Sequence, residues 1–324
     1  MGRNEKQKGT QIQFTIPGEN NEHEGKMKWI VLNECLYIGY IDIWSRYLPD
    51  SVFRSPSFRK QGTVPFKINY CFKGRCEVGL ISGTTTFVTG DEIALDYGTS
   101  GDGKKAFFYP TAEYEGIEVI IVPSEKLSSE ISIFGAEKTA DNLIEKLSHR
   151  NEPVITVADK RVKRCVEEIK EDIQGDYDTN LLMADIIKLL LLLGDISFDA
   201  DKRRTYCTPS QVDIAKKALE IITEDLSSRH TAAELAAKFG VSESSLKNYF
   251  RAVYGRGYND MIREIRMKKA AELIINSKKS LGEIAEDVGY QNQSRFSDAF
   301  LKYHKVLPME FKRRNFKEKI TTHC

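Results

Sequence analysis

Thr231-Ala232-Ala233-Glu234-Leu235-Ala236-Ala237-Lys238-Phe239-Gly240 is answered further along the chain by Ser280-Leu281-Gly282-Glu283-Ile284-Ala285-Glu286-Asp287-Val288-Gly289. Each segment opens on Thr/Ser-x-x-Glu, the capping box in which a hydroxyl and a carboxylate satisfy helix-start N–H groups reciprocally. Each closes on a glycine nine residues past its cap, a residue able to take the left-handed backbone that stops a helix and turns the chain. Between cap and glycine stands an alanine, Ala236 or Ala285, small enough for a second helix to cross closely. The spacing therefore predicts a short helix ended by a glycine turn, twice.

Working outward, a second helix follows each glycine. Ser242 can cap Glu243–Tyr254, with Leu246, Phe250 and Val253 on one apolar face; Asn292 can cap Gln293–Tyr303, with Phe296 and Phe300 spaced the same way. Helix, glycine turn, helix is the arrangement that offers its second helix to the major groove of duplex DNA. The opposite faces carry Ser244, Lys247, Asn248 and Arg251 on the first helix, and Gln293, Ser294, Arg295 and Ser297 on the second, with Lys302 near its end. Asn and Gln pair two-pronged with adenine, Arg and Lys with guanine, at about 1–3 kcal/mol of discrimination each. Any one of these residues alone reads equally as a solvated helix face; the matched set on two helices is what points to bases. A longer helix, about Tyr258 to Asn276, joins the modules, with Ile262, Ile265, Leu273 and Ile274 as its expected apolar anchors. At about 1.5 Å per residue it spans roughly 28 Å, close to the ~34 Å between successive major grooves on one side of DNA. Lys268, Lys269, Lys278, Lys279, Lys302, Lys305, Lys312, Arg313 and Arg314 are available for phosphates, a salt-sensitive share of binding.

The run Leu235-Ala236…Gly240-Val241-Ser242…Leu246…Phe250, then Arg266…Ala270…Leu273, then Ile284-Ala285…Gly289-Tyr290…Ser294…Phe296…Phe300…Pro308…Phe311 resembles the AraC/XylS family of transcription regulators over about 100 residues. That resemblance implies sequence-specific binding to double-stranded promoter DNA, usually by activators that meet RNA polymerase, often with a sensory domain in front. Two departures qualify it. Asn248 and Asp298 stand where the family often has a basic residue in each recognition helix, and an acidic Asp298 would repel a phosphate. Lys305 stands where the family usually has a turn glycine, which predicts local strain.

The N-terminal part has a different period. Ile38–Trp44, Phe66–Phe72, Cys76–Ile81, Thr84–Val88, Glu92–Asp96 and Gly116–Val122 read as strands, with turns expected at Lys73-Gly74-Arg75 and Ser82-Gly83. Asn69–Glu77 followed by Gly90-Asp91-Glu92 resembles the cupin-like sensory barrel of the same family. None of the five histidines (His23, His149, His230, His304, His323) falls in 28–122, which disfavours a metal-dependent cupin enzyme, and no metal or cofactor is expected. An apolar barrel suits a small organic effector, with Tyr70, Phe72, Tyr97, Phe108 and Tyr114 as candidate lining, although each reads as readily as plain core. Cys71 and Cys76 could approach across a hairpin, but buried structural thiols are the default. Gly101-Asp102-Gly103 lacks a nucleotide loop's third glycine and reads as a turn. Glu137–Leu147, Ala158–Ile173 and Asn180–Leu193 read as helices; the last is apolar nearly all round after Asp185, so it is either wholly buried or a subunit interface.

The totals agree with two domains. The 324 residues are 41% hydrophobic and 29% charged, and the net charge of +1 hides an asymmetry. Residues 205–324 hold 21 Lys and Arg against 15 Asp and Glu, whereas 1–204 hold 27 against 32, as suits a basic nucleic-acid module beside a mildly acidic partner. The apolar run Ile186–Leu193 is too short to cross a membrane and holds Lys188, and Met1–Gly9 is polar, so neither a membrane span nor a signal peptide is expected. Six cysteines without a CxxC pair fit a reduced, cytoplasmic protein. The expected architecture is multidomain α+β. Residues 1–193 would form a small cupin-like β-barrel with helices, for sensing and homodimerisation; 194–210 a linker; and 211–324 an all-α double helix-turn-helix domain. The alternatives are a barrel that only dimerises or binds a protein partner, and a barrel enzyme fused to the DNA-binding unit.

Overall fold

The computed structural model of the chain describes residues 10–17, 23–47, 63–98, 108–196 and 204–321. The predicted turn at Gly101-Asp102-Gly103 and residues 197–203 of the predicted linker lie outside them. The chain divides into two compact units, Met1–Tyr206 and Cys207–Cys324.

In the first unit the strands are β1 (Thr10–Pro17), β2 (His23–Asn33), β3 (Leu36–Ile43), β4 (Phe66–Gly79), β5 (Thr85–Thr89), β6 (Glu92–Tyr97), β7 (Tyr114–Ile121) and β8 (Val154–Val157). They form an eight-stranded sheet in the order β1-β2-β3-β7-β4-β6-β8, with β5 paired to β4, and all its pairings are antiparallel. Helices α1 (Glu125–Glu130), α2 (Ala136–Ser148), α3 (Lys160–Gln174) and α4 (Thr179–Leu193) complete the unit. Alternation along each strand sends residues to two separate cores. Phe66, Ile68 and Tyr70 of β4, with Ile117, Val119 and Ile121 of β7, pack with Leu143, Val162, Ile169, Ile186 and Leu190 of the helices. Met27, Trp29, Ile41, Cys71, Ala94, Tyr114 and Ile120 face the other way, into a core built from strands and loops.

One sequence expectation needs correction here. Lys73-Gly74-Arg75 is not a hairpin turn. β4 runs through it, with a register shift between Cys71 and Lys73 that marks a bulge. Gly74 is required there because φ is +84° and a Cβ would lie 1.8 Å from the Glu113 carbonyl oxygen. Cys71 and Cys76 therefore share one strand instead of facing across a hairpin, and neither is in a disulfide. Of the two settings expected for the apolar helix α4, it takes largely the first: it is covered within its own unit, against α2 and α3, leaving Leu181 exposed. The faces expected for α3 hold: Val162, Cys165, Val166 and Ile169 are buried, and Asp159 caps the helix by accepting from the Arg161 and Val162 N–H groups.

The second unit is helical: α5 (Pro209–Glu224), α6 (Ala232–Lys238), α7 (Glu243–Tyr254), α8 (Tyr258–Asn276), α9 (Leu281–Asp287), α10 (Gln293–His304) and α11 (Pro308–Thr321). The first of these was not anticipated, although Thr208-Pro209-Ser210-Gln211 is a capping box with proline at the first helical position.

Candidate nucleic-acid interface

The two modules are built by the same local chemistry. Thr231 and Ser280 each accept from the N–H of the glutamate three residues on, and Glu234 and Glu283 reach back to the cap N–H. At the far end of α6, the Val241 N–H donates to Ala236 and the Gly240 N–H to Ala237; after α9, the Tyr290 N–H donates to Ala285 and the Gly289 N–H to Glu286. These are paired Schellman closures, and they place Gly240 at φ +67° and Gly289 at φ +77°. Ser242 and Asn292 then start α7 and α10 by accepting from the Ser245 and Arg295 N–H groups.

Each second helix buries the residues the spacing singled out. Leu246, Phe250 and Val253 of α7, and Phe296 and Phe300 of α10, are fully covered. On the other side, Ser244, Lys247, Asn248 and Arg251 are exposed, as are Gln293, Ser294, Arg295 and Lys302, while Ser297 is half-buried. Lys247 is paired with Glu243 one turn earlier. Asp298, the acidic departure, is exposed on α10.

The joining helix has the expected length of 19 residues but not all the expected anchors. Tyr258, Met261, Met267, Ala270 and Ile274 are its buried residues; Ile262, Ile265 and Leu273 are only half-buried. The phosphate candidates also divide. Lys268, Lys269, Lys279 and Arg314 are engaged by Glu264, Glu272, Asp287 and Glu310, whereas Lys278, Lys302, Lys305 and Arg313 are exposed cations. Tyr254 and Tyr258, which the sequence reading left out, brace the first module by donating to the Ala215 and His230 carbonyls at 3.1 and 3.0 Å.

Two exposed polar helices, each following a glycine-stopped helix, define a DNA-binding unit of the helix-turn-helix class. Residues 235–314 match the family model described as a helix-turn-helix domain (HTH_18), and this C-terminal domain is of the AraC type. The transcriptional activator AggR of Escherichia coli is 30% identical over 95 residues, covering 29% of this chain and 36% of that protein. The transcriptional regulator GadX of Escherichia coli O6:H1 is 25% identical over 164 residues, 48% of this chain and 60% of that one. Among solved structures, the C-terminal domain of AraT, a response regulator from Geobacillus stearothermophilus, is 33% identical over 31% of this chain and 84% of that one, with a TM-score of 0.31. The chain thus spans less than two thirds of the length of these curated relatives.

The candidate effector residues of the first unit are not brought together. Tyr70, Phe72 and Tyr97 belong to the helix-covered core, with the Tyr70 and Phe72 rings edge-on at 4.8 Å. Tyr114 lies in the opposite core beside Tyr109, and Phe108 stacks on Tyr47 at 5.2 Å. One sheet cannot present adjacent positions to the same face, so the five do not line one pocket. The strand register does gather a polar set that the sequence reading missed. Glu118 stands opposite Asn69, and Lys67 stands opposite both Asp96 and Ile120. By alternation these residues share the face of Tyr114 and Ile120, and Asn69 hydrogen-bonds the Tyr114 hydroxyl at 2.9 Å. Burial raises the Glu118 carboxyl; Lys67 opposes that shift and Asp96 adds to it. Polar residues at alternate positions 67 and 69 of an apolar strand were the available signal. Among the described residues, no group of three His, Cys, Asp or Glu is placed to hold a metal ion. No described helix is long and apolar enough to cross a membrane.

Proposed function

We propose that the whole chain is a one-component transcription regulator. Its C-terminal unit binds promoter DNA through α7 and α10, and its N-terminal unit binds a small organic effector and pairs with a second copy of the chain. The observation that carries the DNA half is the pair of Schellman-closed bihelices with exposed Asn248, Arg251, Gln293 and Arg295. AggR and GadX, named as a transcriptional activator and a transcriptional regulator, support the regulatory role over the region they match. As an activator the protein would also meet RNA polymerase.

The effector half rests on the strand-lined face of the sheet. There Lys67, Asn69, Asp96 and Glu118 interrupt an otherwise apolar wall, the mixture of apolar body and few polar groups that small-molecule sites use. The other reading of the first unit is a module that only dimerises, with Leu181 of α4 left exposed for a second copy.

Selection of bound duplexes from a random pool, followed by footprinting on genomic DNA, tests the DNA half: one recurrent motif is expected, and equal affinity for any duplex overturns it. Thermal shift across a metabolite panel tests the effector half. A ligand that stabilises the wild type but not Glu118→Gln is expected; no stabilisation with dimerisation intact favours the module that only dimerises.

A further inference from the structure

Arg266 of α8 touches both modules at once. Its Nη2 donates to the Ser228 carbonyl at 2.9 Å, in the segment between α5 and α6, and its Nη1 donates to the Gly289 carbonyl at 3.2 Å, at the turn of the second module. Packing around that turn is tight. A Cβ at Gly289 would stand 2.5 Å from the Leu226 carbonyl oxygen and 2.6 Å from the Arg266 guanidinium. The loop leading into the first module, the joining helix and the turn of the second module therefore meet at one side chain.

That side chain is kept at a cost. Its two acceptors are neutral carbonyls, its Nε is buried without a hydrogen-bond partner, and burial lowers its pKa. Among the described residues, no carboxylate offsets the burial of this cation, so charge pairing does not account for its place. What a guanidinium offers instead is a rigid planar fork whose two ends fix two carbonyls at a set separation, which a lysine's point charge cannot do. Each recognition helix is in turn fixed to this frame: α7 through Tyr254 to Ala215, and α10 through His304, whose Nε2 is 3.1 Å from the Met267 carbonyl of α8.

We propose that Arg266 is the positioning residue that sets the separation and rotation of α7 and α10, and hence the base-pair spacing between the two half-sites this protein accepts. The inference rests on the reading above that both modules engage one duplex. Linked modules gain about 10²–10⁴-fold in avidity only when both sites can be engaged together, so loosening the brace spends that gain before it touches base recognition.

The test is selection from a random 35-base-pair duplex pool with the full chain as wild type, Arg266→Lys and Arg266→Met. The wild type is expected to enrich two half-motifs at one spacing. Both variants are expected to enrich the same half-motifs over a spread of spacings, with affinity for the wild-type spacing lower by about tenfold. If Arg266→Lys fails to fold, Arg266→Met, which keeps the stem and removes the partly unsatisfied cation, carries the test. An unchanged single spacing in a folded variant overturns the brace. So does a uniform loss on every sequence with a shallower salt dependence, which would make Arg266 a phosphate contact. A wild type that enriches no motif would instead sink the regulatory reading itself.

Discussion

Lys305 follows α10 with φ +60° and donates its N–H to the Leu301 carbonyl, a left-handed cap that costs a residue with a Cβ about 1–2 kcal/mol. Glycine would remove that cost, although its greater flexibility in the unfolded chain offsets part of the gain. Lys305→Gly is therefore expected to stabilise the second unit by about 0.5–1 kcal/mol, read as a melting temperature up by about 2–4 °C. The two turn glycines differ from each other in a way their shared sequence hides. A Cβ at Gly240 meets nothing within 4 Å, whereas at Gly289 it meets backbone and Arg266. Gly240→Ala is expected to cost only the left-handed strain, about 1 kcal/mol, and Gly289→Ala at least twice that; equal losses by urea titration would refute the difference. Asp225 gives a pH handle. Hydrogen bonds from the Ser227 and Ser228 hydroxyls, then from their N–H groups, hold its carboxyl down at about 2 against an ordinary 3.8. Because the folded value is the lower one, its contribution is complete above the unfolded value and is lost as pH falls towards 2. The stability gap between wild type and Asp225→Asn, followed by circular dichroism, is expected to be full above about pH 5 and to close by about pH 2.

At the scale of elements, part of the predicted linker, residues 204–206, is sewn to the first unit. Arg204, whose side chain is only 9% exposed, pairs with Glu92 at 2.8 Å and donates to the Phe87 carbonyl, while Thr205 accepts from Thr86 and Tyr206 donates to Glu152. Removing one partner of such a pair strands the other, so Arg204→Met is expected to destabilise the first unit by about 3–5 kcal/mol in denaturant unfolding. A loss under 1 kcal/mol would mean water already reaches Glu92. This anchor was invisible in the sequence because Asp199–Arg204 reads as a solvated charge run, and only the fold brings Glu92 beside it. The paired helices of the two modules and the helix joining them were legible almost to the residue, since caps, glycines and apolar spacing are local signals, whereas α5 and α11 were not. The sheet was less so: β2 and β8 lack sharp boundaries, and a bulge at Gly74 looks like a turn until Glu113 is placed across from it. The joining helix shows the same limit. Its length could be read, but Met261 and Met267 displaced Ile262 and Ile265 as anchors because two modules pack on it from different sides.

For the molecule as a whole, the DNA-binding half was readable because a repeat of capped, glycine-stopped helices is a one-dimensional pattern. The faces of the first unit's sheet were not, because which strand residues share a face depends on register. The exposed polar faces lead to a prediction that separates two kinds of contact. Asn248→Ala and Arg295→Ala are each expected to cost about 1–3 kcal/mol on the selected duplex and little on random DNA. Lys302→Ala is expected to weaken both alike and to lower the salt slope by about 0.9. Competition titrations at several salt concentrations distinguish the patterns, and an Asn248→Ala loss shared equally by random duplex would place that residue on phosphate.

The thiols offer a way to watch this protein breathe. Cys35, Cys71, Cys76, Cys165 and Cys207 are all buried and unbridged, and burial pushes the thiols of Cys71 and Cys165 up to about 12. Alkylation needs a thiolate within reach of the reagent, so these sulfurs react only when the surrounding structure opens. With Cys324 changed to serine, the order in which the remaining cysteines take up label would rank their local opening events, with no engineered reporter near the DNA-facing helices.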